Sequence, residues 1–178
     1  MTPEDRHRYE SAPLPAEIHP VESVEDANLR FMLDYWRKLK GERRMPVRTE
    51  ILPKDIKHCL RYIHIYEVVD GGADFRARLV GTSVFPGLDD DQTGKLVSQH
   101  PDPGVRLRFA ALLRRVQTTG EPARSISRRI TGSLLNDLYT EGLWLPLGAD
   151  GHVEHVLAQS CLRQITPGSN AFGARPDA

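Results

Sequence analysis

Two cysteines in 178 residues are too few for a disulfide framework. Cys59 and Cys161 also stand too far apart for a metal knuckle, and both are expected as free, buried thiols behaving as small hydrophobes. An excess of one charge is missing as well: 24 basic residues balance 24 acidic ones. That balance gives no global attraction to nucleic acid or to an anionic membrane. No apolar run approaches the roughly 20 residues that a bilayer crossing needs. The first ten residues are charged and lack the apolar centre of a secretion signal, so the expected location is the cytoplasm. The chain contains no Walker-type phosphate loop and no Gly-x-Ser-x-Gly elbow.

What the chain does have is an ordered series of patterned segments. Residues 1–20 carry Pro3, Pro13, Pro15 and Pro20 and read as an extended or disordered arm. Leu29, Met32, Leu33, Trp36 and Leu39 then recur at helical spacing over residues 23–40, with Ser23 as the expected N-cap and Gly41 as the stop. The apolar stripe of this helix has two possible covers: the protein's own sheet or the same helix of a second subunit. Pro53 opens a short predicted helix through about Leu60. Residues 62–69 and 75–80 read as a hairpin turning at Asp70-Gly71-Gly72. Both faces of the first strand are partly apolar, so it should be covered on both sides. The second strand sets Phe75, Ala77 and Leu79 against Arg76 and Arg78. A strong helix follows over 104–119, with Phe109, Leu112, Leu113 and Val116 inward and Gly120 at its end. Three strand-like runs, 123–131, 138–147 and 153–165, close the domain, and 166–178 reads as a disordered tail.

The hairpin ending in Phe75-Arg76-Ala77-Arg78-Leu79-Val80-Gly81-Thr82, the following Thr93-Gly94, the long helix and the Leu143-Trp144-Leu145-Pro146-Leu147 strand running into Asp150-Gly151 resemble the PAS domain superfamily. The chain looks most like the divergent PAS-like group common in alphaproteobacteria, in which a Trp-bearing helix precedes the hairpin, as Tyr35-Trp36 does here. The resemblance spans about residues 29–165. It implies an α+β fold: a five-stranded antiparallel sheet with helices on one face, preceded by an N-terminal amphipathic helix. The domain proper would run over 42–165, and residues 21–41 would serve in dimerisation or as a sheet cover. The resemblance also implies ligand or signal sensing and a homodimer built on flanking helices. No output domain is recognisable, so a stand-alone module is expected, acting on a small molecule or a signalling partner. The resemblance carries no cofactor. The flavin branch needs an Asn-Cys-Arg-type motif that is absent, and the haem branch often uses a His on the long helix, where residues 104–119 have none.

On this reading the pocket lies between the sheet and the 104–119 helix, lined by Phe75, Leu79, Phe85, Phe109, Leu113, Tyr139 and Leu143. Apolar and amphipathic walls suit a ligand site, and the same residues suit a filled core. His64 shares a strand face with Tyr62 and Tyr66, and the three could form a polar-aromatic wall. The dimer contact would use Leu29, Met32, Leu33 and Trp36. Other candidates carry less. His152 and His155 are three apart on a strand and so point to opposite faces, which argues against a metal. His100, just before Pro101 and the long helix, could reach the pocket mouth, but it reads as a surface-loop histidine. Asp89-Asp90-Asp91 lacks the alternation and the twelfth-position Glu of a calcium loop. Arg114, Arg115, Arg124, Arg128 and Arg129 could form an anion site, although a solvated face is the default. A cavity enzyme of isomerase or dehydratase type would need His64 or His155 beside Asp137, a pairing that no spacing supports, so no activity and no catalytic residue is expected.

Overall fold

A computed structural model describes residues 17–83, 91–129 and 137–165. In chain order the elements are β1 (Glu17–His19), α1 (Ala27–Lys40), β2 (Ile63–Val69), β3 (Asp74–Val80), α2 (Pro103–Thr119), β4 (Ala123–Arg129), β5 (Asp137–Ala149) and β6 (His152–Ile165). The strands form one sheet in the order β1-β4-β5-β6-β2-β3, antiparallel at every step. Five of them are the strands that the pattern predicts. The sixth, β1, comes from the Pro-rich arm and pairs Glu17, Ile18 and His19 with Ile126, Ser125 and Arg124. Three residues are too few to leave a periodic signal.

Alternation along the central strands divides the interior into two cores. Leu143, Leu145, Leu147, Leu157, Ile63 and Ile65 point to one face, where they meet Leu29, Met32, Leu33 and Trp36 of α1. Trp144, Val156, Ala158 and Tyr66 point to the other, where they meet Leu112, Leu113 and Val116 of α2. The sheet is therefore a middle layer with one helix on each side, and β2 is covered on both faces as its composition predicts. Burying each large apolar side chain contributes about 1.5–3 kcal/mol, so both cores are substantial.

The helix ends follow capping chemistry. Asp26, not Ser23, caps α1: its Oδ1 accepts from the Asn28 and Leu29 amides at 2.9 and 3.0 Å. Ser23 sits instead in a preceding 3-10 turn and receives a bond from Arg124. Asp102 caps α2 in the same way, Pro103 occupies its first turn, and Gly120 closes it at φ 65°. Residues 53–59 form successive turns rather than a helix, followed by a 3-10 turn at Leu60–Tyr62.

The register between β2 and β3 slips by one residue. Ile65 faces Leu79, but Tyr66 faces Ala77, which leaves Arg78 as the extra residue of a bulge. A bulge reverses the alternation beyond it. Phe75 and Ala77 consequently lie under α2, whereas Leu79 packs into the core of α1.

Candidate functional site

The side of the sheet under α2 carries a cluster of aromatic and polar side chains. His64 is fully buried, with Nδ1 3.4 Å from the Tyr66 hydroxyl and Nε2 3.3 Å from the Ser160 hydroxyl. Its ring centre lies 5.8 Å from that of Tyr66, 5.7 Å from Phe109 and 6.0 Å from Trp144. Phe109 reaches down from α2 and meets Trp144 edge to face at 5.2 Å and Tyr66 at 6.1 Å. The Trp144 indole donates to Ser125 Oγ at 2.9 Å. Toward the mouth, Gln92 and His100 are buried beside Val97 and Val105. The space that these mouth residues leave against Tyr66 and Phe109 is about 10 Å³, room for one water molecule.

Burial sets the protonation of this cluster. Loss of water holds the His64 imidazole down to about 3 and pushes the Tyr66 phenol upward, so both are neutral at physiological pH. The sign of the consequence follows from linkage. Below the ordinary imidazole value of about 6.5, the unfolded chain takes up a proton that the folded chain refuses. Stability is therefore expected to fall as pH drops from 6.5 toward 3, by up to about 1.4 kcal/mol per pH unit from His64. Burial lowers His100 and His155 as well, which adds to the same slope. Urea unfolding at several pH values would measure it, and His64→Gln should flatten it by about one proton. An equal slope in the variant would remove His64 as the titrating group.

The predicted lining residues are divided by the sheet. Phe75, Phe109, Leu113 and His64 lie on the α2 side. Leu79 and Leu143 lie on the α1 side, Leu79 because of the bulge and Leu143 because Trp144 takes the inward position. Phe85 lies outside the described residues, and so does the side chain of Tyr139. Tyr62 leaves the proposed wall: it sits in the turn before β2, under the Arg61 guanidinium at 5.3 Å. His100 is buried rather than a surface histidine. Cys59 is buried but Cys161 is only half-buried. Trp144, Ser125 and Ser160 belong to the cluster without having been read from the sequence. In Leu143-Trp144-Leu145 every residue is apolar, so nothing marks which face each one takes.

The suggested dimer residues are not at the surface. Leu29, Met32, Leu33 and Trp36 are each no more than 3 % exposed, all against the sheet of the same chain. A contact with a second subunit has no atoms of theirs to use. The described part of the arginine site is divided by the sheet. Arg124 is buried on the α1 side with Glu141, while Arg114 and Arg115 lie on α2 across the sheet. The side chains of Arg128 and Arg129 lie outside the described residues. Among the described residues no group of three His, Cys, Asp or Glu side chains could hold a metal ion, and no helix is long and apolar enough to cross a membrane.

The five predicted strands joined in one antiparallel sheet and the long helix across one face agree with the resemblance, and the family pattern described as PAS domain matches residues 24–159. The chain belongs to the PAS domain family. The match takes in α1. No curated protein matches the chain. As a PAS domain it is a sensory or regulatory module in the general sense of the family.

Proposed function

We propose that this PAS domain is a regulatory module that acts through contact with a protein partner, with the core under α2 filled by its own side chains. One observation carries the reading: Phe109 stands where a ligand would sit, wedged between His64, Tyr66 and Trp144, and about 10 Å³ remains beside it. Ligand pockets usually occupy about 300 Å³ or more. Native mass spectrometry of the purified protein, paired with a denaturing spectrum, is the test. The expected result is the bare chain mass in both. Extra mass that disappears on denaturation would replace this reading with a ligand sensor.

A second reading keeps a small ligand, and the polar groups favour it. An apolar core needs no His64, Ser125, Ser160 or Tyr66 hydroxyl, and such groups raise the cost of any imperfect packing. A ligand would displace Phe109 and take up those hydroxyls and the imidazole. A homodimer would use the outer side of α1. There Phe31 is 37 % exposed and stacks on Tyr35, with His58 edge-on at 4.5 Å.

A further inference from the structure

The outer side of α2 is a built surface that neither reading uses. Its solvent stripe runs Leu107, Ala111, Arg114, Arg115 and Thr118, the spacing of one helix face. Leu107 is 62 % exposed, the most exposed large apolar side chain among the described residues. The 17 residues of α2 contain four arginines and no acid. Arg106 is occupied, donating to the His100 carbonyl at 2.6 Å. Arg114 donates only weakly, to the Ala73 carbonyl at 3.4 Å. Neither Arg114 nor Arg115 makes an ion pair with a carboxylate among the described residues. Arg44 extends the basic surface past the helix end, donating to the Thr119 carbonyl at 2.6 Å while remaining exposed.

We propose that the outer face of α2 docks an acidic amphipathic helix of a protein partner, with an apolar side chain of that helix over Leu107 and Ala111 and its carboxylates against Arg114, Arg115 and Arg44. This deepens the partner reading above and rests on it. Charge complementarity selects the occupant. A second copy of α2 would set arginines against arginines, so the face does not pair with itself. A single exposed leucine offers too little apolar area to enter a bilayer. The stripe carries no aromatic ring on which a nucleobase could stack.

The test uses the full chain, isotope-labelled, and a fluorescent synthetic amphipathic helix with leucines on one face and glutamates around them. Binding is expected, weakening about tenfold between about 50 and 300 mM salt, with amide shifts concentrated on α2. Leu107→Ser, and Arg114→Ser with Arg115→Ser, should each weaken it at least about fivefold. These side chains are exposed, so the variants fold. No binding overturns the proposal. So does equal binding of a scrambled peptide of the same composition, or a shift pattern on another face. Binding to phosphatidylserine vesicles without binding to the peptide would assign the face to lipid instead. None of these outcomes bears on the mass-spectrometric test, so the two readings fail separately.

Discussion

Trp36→Ala is expected to destabilise the domain by about 3–5 kcal/mol, without any change in self-association. Trp36 is 3 % exposed and packs in the core between α1 and the sheet. Its Nε1 donates to the Pro146 carbonyl at 2.8 Å across 110 residues of chain. Truncation removes the ring's burial, opens a cavity and leaves that carbonyl without its donor, and the three costs add. Trp36→Phe separates them: it keeps most of the packing and should cost only about 1–2 kcal/mol for the hydrogen bond and the smaller ring. Denaturant midpoints at unchanged slope would give both values. If Trp36→Ala left stability intact and instead split a dimer in light scattering, the helix would belong to an interface between subunits after all.

Glu141→Ala is expected to cost a similar amount, about 3–5 kcal/mol, for a different reason. Glu141 Oε1 accepts from Arg124 Nε at 2.6 Å, with the two side chains 3 % and 8 % exposed. The same guanidinium donates through its Nη1 to Ser23 Oγ at 2.7 Å. Removing the carboxylate leaves a largely buried cation without its counter-charge. Replacing both partners, Arg124→Met with Glu141→Leu, should recover most of the loss, because the desolvation of both charges is relieved together. The double-mutant cycle is the measurement. A cost below about 1 kcal/mol for Glu141→Ala would mean that water reaches the pair, which would make it an ordinary surface contact.

Most of the architecture was legible because its elements are long and strongly patterned. The stripes of α1 and α2, the Asp-Gly-Gly hairpin and the last three strands each carry a period that one physical arrangement satisfies. The parts that did not read are those where the period is silent. Leu143-Trp144-Leu145 is apolar at every position, so the face each residue takes is fixed by register alone. Strict alternation puts Leu79 on the face of Phe75 and Ala77, and only the bulge at Arg78 separates them. Arg124 and Glu141 look like solvated charges in sequence, since 17 residues part them and the sheet alone makes them neighbours. His64 and Tyr66 were legible as a pair on one strand face. Their partners Phe109 and Trp144 come from α2 and β5, and no local spacing connects those elements to β2.

The protein has two tryptophans, and the sheet separates them: Trp36 stands in one core and Trp144 in the other. Each therefore serves as a built-in optical reporter for one side of the molecule. Yet the two sides share a wall, because neighbouring residues of β5 and β6 face opposite ways. Heat cannot dissolve the side that Trp144 watches without withdrawing half the wall that Trp36 leans on. A disturbance at Phe109, at the Trp144 ring, has only the backbone from Trp144 to Pro146 to cross before it reaches the carbonyl that holds Trp36.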